Sequence, residues 1–364
     1  MSLDWMARDL GISRFALSRV FSGTFHRNFN QFLNEQRLNY VTIHLECSDE
    51  SITDICMNAG FESQRTFNRV FRERYRMTPG EYRTLYKEKI FTRGTNMITV
   101  ELEHFSLDKI CDSGQCFRMK KLGDGHFSMV AGDQYLEMHQ KDGVVDFCCS
   151  QEEFICYWVL YFDLDTDYEA YMNAANPRDK YLGAAIKAGD GIRILRQDLW
   201  EMIVTFLISQ QNNIKRIRKC IETICRKYGE RKISSAGVEY YAFPTVEALS
   251  QATEEELRGC GLGYRAKYIA VTARTIASGQ ISLEKIYNMR YHQAKKELMK
   301  LCGVGEKVAE CICLFALHHM DAFPIDTHIR QVMDVHYKRG FPNRRYRGMR
   351  GIMQQYIFYY DLYS

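Results

Sequence analysis

A chain of 364 residues with 46% apolar side chains has room for two or three domains and the composition of an ordinary globular protein. No run of about eighteen apolar residues occurs, and Met1-Ser2-Leu3-Asp4-Trp5 lacks the basic-then-apolar order of a signal peptide, which sets aside membrane-spanning and secreted classes and leaves a cytoplasmic protein. The net charge of +4 is mild, so its distribution matters more than its size.

That charge gathers in three places. Arg65, Arg69, Arg72, Arg74 and Arg76 crowd one segment. Lys215, Arg216, Arg218 and Lys219 crowd a second, and Lys338, Arg339, Arg344, Arg345, Arg347 and Arg350 a third. Any one of them reads as a solvated helix face; three together point toward phosphate contact. The 13 cysteines are scattered and odd in number, as in a reduced compartment. Cys148 and Cys149 are adjacent, Cys311-Ile312-Cys313 is no C-x-x-C pair, and no cysteine follows Cys313. The cysteines therefore predict no zinc site and no metal cluster, and no cofactor is expected.

Residues 1–89 contain an internal repeat. Leu3, Ala7, Gly11, Ser13, Leu17 and Phe21 recur as Ile52, Cys56, Gly60, Ser63, Phe67 and Phe71. Each copy predicts an apolar helix, a glycine turn, a serine N-cap and a second helix, which is a helix-turn-helix made twice. A helix around Arg37-Leu38-Asn39-Tyr40 joins them. The polar positions of the last helix carry Gln64, Arg65, Asn68 and Arg69, long donors suited to base edges and phosphates. The stretch Ile52 to Arg83, with Gly60-Phe61, Val70-Phe71, Thr78-Pro79 and Tyr82-Arg83, resembles AraC-type DNA-binding domains. The resemblance implies an operator-like DNA partner for this head, with a first motif shortened because the chain begins almost at its first helix.

Residues 90–97 read as a linker. Alternation then predicts a small antiparallel sheet from Ile98-Thr99-Val100-Glu101-Leu102, Phe127–Val130, Tyr135–Met138 and Val144–Phe147, with turns at Gly123-Asp124-Gly125 and Asp142-Gly143. Residues 98–185 are taken as this α+β domain and 186–364 as an all-helical domain packed on it, so the chain is mainly α. An apolar helix over Leu199–Leu207 ends in the polar knot Ser209-Gln210-Gln211-Asn212-Asn213. Another, from Val308 to Leu317, follows Gly303-Val304-Gly305, a tight turn whose backbone N–H groups at a helix start suit a phosphate. Lys307 falls in the first turn, where the helix dipole opposes its charge and favours the neutral, nucleophilic amine. Downstream, Pro324-Ile325-Asp326 places a carboxylate at the start of the next helix, as a cap and as a partner for that lysine.

Hairpin, lysine and Pro-x-Asp resemble the helix-hairpin-helix DNA glycosylases, and within them the 8-oxoguanine DNA glycosylases. The resemblance runs from about residue 98 to the end. It includes Ser113-Gly114-Gln115-Cys116-Phe117-Arg118, Gly191-Ile192-Arg193-Ile194-Leu195-Arg196-Gln197-Asp198, Gln211-Asn212-Asn213-Ile214-Lys215-Arg216-Ile217 and Gly261-Leu262-Gly263-Tyr264-Arg265-Ala266-Lys267-Tyr268. It implies a lyase that cuts oxidised guanine from duplex DNA after flipping the base. Lys307 would attack the sugar as a Schiff-base former and Asp326 would stabilise the oxocarbenium-like sugar. Gly114 would offer its carbonyl to the N7 hydrogen that guanine lacks. Gln354 would read the base edge, and Phe358 and Cys311 would hold its ring. Asn212, Arg216 and Arg265 would meet the estranged cytosine, Tyr264 would wedge the stack, Gln211 would fill the hole, and Gly303, Gly305 and His328 would meet phosphates. The family often has Asn where Gln211 stands, and the chain stops soon after Phe358, which predicts a short closing helix. Two alternatives stay open: an alkylated-base glycosylase, which works with the aspartate alone, and a transcription regulator whose C-terminal half senses damage. A protein acting on DNA at both ends is expected at the bacterial nucleoid.

Overall fold

The computed structural model describes residues 3, 7–8, 12–24, 29–48, 50–75, 77–92 and 97–363, in two compact units. Gly11, Arg76 and linker residues 93–96 lie outside the described residues. The first unit spans Met1–Ile98 with Ser150–Cys156, and the second Thr99–Cys149 with Tyr157–Ser364. No described helix is long and apolar enough to cross a membrane.

In the first unit the serine caps do what the repeat requires. Ser13 Oγ accepts from Ala16 N at 3.1 Å at the start of helix Arg14–Thr24, and Ser63 Oγ accepts from Thr66 N at 3.2 Å before helix Gln64–Tyr75. Helix Phe29–Cys47 joins the two copies and lends Leu38, Val41 and Leu45 to a core with Ile55, Cys56, Phe61, Phe67, Val70 and Phe71. Arg37 stacks on the Phe61 ring at 5.3 Å. Helix Pro79–Lys89 is started by a reciprocal cap, in which Thr78 Oγ1 accepts from Glu81 N and Glu81 accepts from Thr78 N. With Phe67, Val70 and Phe71 turned inward, Gln64, Arg65, Asn68 and Arg69 are left exposed on the opposite face.

From Thr99 on, the second unit takes the strand Ile98–Glu101 into a sheet in which Val144–Phe147, Gln134–Lys141, His126–Ala131 and Met119–Gly123 follow it side by side in that order. The pairing over the last three junctions is antiparallel, with Phe127 opposite Met138 and Met138 opposite Phe147. Phe127, Met129, Leu136, Met138, Val145 and Phe147 are buried on one face, so His126, Glu137 and His139 share the other. Asp142 and Gly143 both take left-handed backbone (φ 50° and 82°), the conformation that a two-residue hairpin turn demands. The strand Met119–Gly123 is exposed beyond its first residue and has no alternation to announce it.

The helical core is built round Leu199–Ser209, buried from Leu199 to Ile208 and capped by Asp198, which accepts from Glu201 N at 2.8 Å. Within that helix Glu201 reaches the sheet edge: its carboxylate accepts from Gly132 N at 3.1 Å and lies 3.7 Å from Arg118. Burial pushes the Glu201 carboxyl from 4.5 up to about 7, against the pull of Arg118. Because the folded value is raised, both states hold the proton below about pH 4.5, and the unfolded chain alone gives it up as pH rises toward 7. Stability therefore falls across that window by roughly 3 kcal/mol and then levels off. Urea midpoints measured between about pH 5 and pH 8 are expected to drop more steeply for the wild type than for Glu201→Gln, which keeps an acceptor for Gly132 but does not ionise.

Candidate active site

Helix Tyr291–Leu298 leads through the turn at Gly303 to helix Glu306–Phe315. Gly303 has φ 82°, and a Cβ there would come within 2.5 Å of the Tyr268 ring, so conformation and space both require glycine. Gly305 caps the second helix, and a Cβ on it would meet nothing within 4 Å. The turn thus presents open backbone at a helix N-terminus, the arrangement that receives a phosphate. Lys307 stands one residue into this helix.

The second half of the site comes from the segment after that helix. Asp326 caps helix Thr327–His336, its Oδ1 accepting from Ile329 N at 2.8 Å. The approach to Asp326 is held by Glu310, a buried carboxylate that the sequence does not single out. It accepts from Phe323 N at 2.8 Å and from the Tyr291 hydroxyl at 2.6 Å, and pairs with Lys295 at 2.6 Å. One side chain thereby joins both hairpin helices to the strand-like run that delivers Asp326.

Lys307 and Asp326 line the same recess, of about 50 Å³, with Gly114, Cys311, Gln354 and Phe358. It opens into a cleft of about 1320 Å³. Six residues named from sequence are therefore brought together from four separate segments. The Cys311 thiol is buried, which raises its pKa against the opposing influence of the Lys307 charge. The Lys307 amine lies 5.7 Å from the centroid of Phe206, an aromatic wall that sequence reading misses because it sits inside a buried, mostly apolar helix. Gln355 is a second omission: it donates to the Ser113 carbonyl and fixes the turn before Gly114. Gly114 has φ 75°, and a Cβ there would stand 3.1 Å from Phe358. Gln115, fully buried, ties the same turn to Arg193 and Leu195 through its amide.

Gln354 is 4% exposed and donates to the Pro324 carbonyl at 3.1 Å. Its Oε1 is buried without a hydrogen-bond partner. An orphaned acceptor costs about 1–3 kcal/mol, so its presence beside a recess points to a ligand that donates.

Gln211, Asn212, Gly305 and His328 line the wider cleft. Gln211 holds left-handed backbone at φ 46°, a conformation that Asn tolerates better than Gln. Asn212 is braced to Ile208 O at 3.0 Å, and His328 meets Asp361 at 3.0 Å. Arg216, Tyr264, Arg265 and Gly303 do not line the recess or the cleft. Arg216 is exposed and donates to Gly261 O at 3.2 Å. Tyr264 is 44% exposed, with its ring 4.6 Å from the Arg265 guanidinium. Arg265 itself is buried, and its donors hold the carbonyls of Gln210 and Gln211. Gly303 offers its carbonyl to Gln210 Nε2 at 3.1 Å. In the first unit, Gln64, Asn68 and Arg69 line an open groove of about 690 Å³, with Arg69 paired to Glu73 at 2.9 Å, while Arg65 is exposed on the same helix.

Residues 97–203 match the family model of the 8-oxoguanine DNA glycosylase N-terminal domain, residues 204–343 that of the HhH-GPD superfamily base excision DNA repair proteins, and residues 6–84 a helix-turn-helix domain. A yeast (Saccharomyces cerevisiae) N-glycosylase/DNA lyase is 32% identical over 267 residues, covering 66% of this chain and 70% of the relative. The crystal structure of the Clostridium acetobutylicum 8-oxoguanine glycosylase/lyase with duplex DNA carrying cytosine opposite 8-oxoguanine superposes with a TM-score of 0.71 at 36% identity, over 74% of this chain and 96% of that one. Over the head, the regulatory protein SoxS of Salmonella typhimurium is 34% identical across 83 residues, 23% of this chain and 78% of the relative. The chain belongs to the N-glycosylase/DNA lyase family of 8-oxoguanine DNA glycosylases, with an AraC-type helix-turn-helix domain at its head.

Proposed function

We propose that this enzyme removes 8-oxoguanine from duplex DNA and then cleaves the abasic strand by β-elimination. The observation that carries the reading is the recess in which Lys307, Asp326, Cys311, Phe358 and the orphaned Gln354 acceptor meet. An extruded base needs a stack on its faces and hydrogen bonds at its edge to offset the few kcal/mol lost on unstacking. Phe358 and Cys311 supply the faces. Gln354 Oε1 accepts from the N–H groups on the pairing edge of guanine-type bases. The Gly114 carbonyl takes the N7 hydrogen that only the oxidised base carries.

With the base bound, the Lys307 amine attacks C1′ as the glycosidic bond breaks, and Asp326 balances the charge that develops on the sugar. The resulting Schiff base makes the neighbouring C2′ hydrogen acidic, and its loss expels the 3′ phosphate. Gln211 fills the space left by the base, while Asn212 and Arg216 face the orphaned cytosine. Tyr264 wedges the stack beside them. Arg265 acts through the loop it fastens, and the Gly303–Gly305 turn and His328 hold backbone phosphates. The head adds sequence-directed binding through Gln64, Arg65, Asn68 and Arg69 to operator-like DNA, which would keep the protein at the nucleoid.

The test is excision measured side by side on duplexes containing 8-oxoguanine, alkyladenine and uracil. Release of alkyladenine alone, without strand cleavage, would favour the alkylated-base reading. Tight lesion binding without release of any base would favour a damage-sensing regulator. Gln354→Met gives a sharper check of base reading. It removes an unsatisfied acceptor along with one hydrogen bond, so stability is expected to change by less than about 1 kcal/mol, while 8-oxoguanine excision falls about 10- to 100-fold.

A further inference from the structure

The solvent-facing side of the sheet carries a cluster that the glycosylase reading does not use. Antiparallel register sets His126 directly opposite His139, and Glu137 follows two residues along the same strand on the same face. The two imidazoles stack with centroids 4.1 Å apart and planes inclined by 18°. One donor atom from each of the three side chains lies within 4.8 Å of the others. His126 Nε2 points to the Glu137 carboxylate at 3.5 Å, yet it is buried and has no hydrogen-bond partner. The other Glu137 oxygen accepts from the Tyr135 hydroxyl at 2.6 Å.

We infer that His126, Glu137 and His139 form a binding site for a divalent first-row transition metal ion, on the sheet and independent of the glycosylase chemistry. Two imidazoles and a carboxylate are a donor set that favours zinc, nickel or cobalt over magnesium or calcium, which prefer all-oxygen shells. Three protein ligands leave the remaining position to water. Stacked rings cannot both direct a lone pair at one point, so binding requires the exposed His139 ring to turn about its χ angles until its nitrogen meets that of His126. The Tyr135 hydroxyl then serves as the outer-shell donor that orients the carboxylate, as metal-ligating side chains ordinarily require. The site joins adjacent strands, so an ion there would fasten the sheet across the register that creates it. Sequence reading expects no metal because it looks to cysteine spacing; here His126 lies 11 and 13 positions from Glu137 and His139 and meets them only through the hairpin pairing.

The full chain, stripped with chelator and dialysed, would be titrated with cobalt(II) or zinc(II). Stoichiometry would come from elemental analysis and the ligand set from X-ray absorption. One tightly bound equivalent is expected, with imidazole scattering and no sulfur shell, together with a rise in melting temperature on metal addition. His139→Asn, at an exposed position, is expected to weaken this equivalent at least about a hundredfold and abolish the rise, and Tyr135→Phe to weaken it about tenfold. An equivalent that binds His139→Asn as tightly as wild type, or a sulfur shell in the absorption spectrum, places the ion on other residues and overturns the assignment. So does absence of any bound equivalent in a folded, stripped protein.

Discussion

The Lys307→Gln protein is expected to leave no borohydride-stable adduct on 8-oxoguanine duplexes and to excise the base at least about 10⁴-fold more slowly, on the scale of losing a covalent nucleophile. The amine lies over the Phe206 ring and Lys307 lines the recess with Cys311 and Asp326. Gln fills similar space and remains polar, so the recess, the hairpin and lesion binding survive. Trapping with borohydride on denaturing gels checks the adduct, single-turnover excision the rate, and filter binding the retained affinity. A persistent adduct in Lys307→Gln would transfer the nucleophile to another amine. Lost binding would mean that the substitution had disturbed the site instead.

Asp326→Asn separates charge from architecture. The Asp326 carboxylate has a structural duty, since its Oδ1 caps helix Thr327–His336 through Ile329 N. Asn is as good a cap as Asp, so the melting temperature is expected to move by no more than the equivalent of about 0.5 kcal/mol. Excision is expected to fall about 10²- to 10³-fold, because a neutral amide gives up the stabilisation of cationic character on the sugar. Asp326→Ala is the contrasting variant: it loses cap and charge together, adding about 1 kcal/mol of instability to the catalytic loss. Thermal melts run beside single-turnover assays distinguish the two. A melt of Asp326→Asn that drops as far as that of Asp326→Ala would show that the carboxylate matters to the fold through its charge.

What could be read in advance follows from where each signal lies along the chain. Ser13, Ser63, Gly60 and the apolar spacing round them are local, and the helices they define are found where the residues are described. Lys307 and Asp326 were legible for the same reason, since each owes its position to a turn or cap within its own few residues. The contacts of Glu310, Gln115 and Arg193 were not, because these buried polar groups find their partners outside their own few residues. Gln115 reaches a carbonyl 78 residues away, and no pattern near Gln115 forecasts that. Phe206 disappears into an apolar helix, and Met119–Gly123 is a strand only because His126–Ala131 pairs with it. Arg265 shows the converse limit. Its motif was visible, but its occupation by the carbonyls of Gln210 and Gln211 depends on a helix end some 55 residues earlier.

That tether bears on how the protein meets a duplex. A loop left free in solution would lose its freedom at the moment of encounter, and each ordered residue would subtract about 1–2 kcal/mol from the affinity. Here Gln210 and Gln211 are anchored while the chain folds, so that the ordering entropy is settled before any nucleic acid arrives.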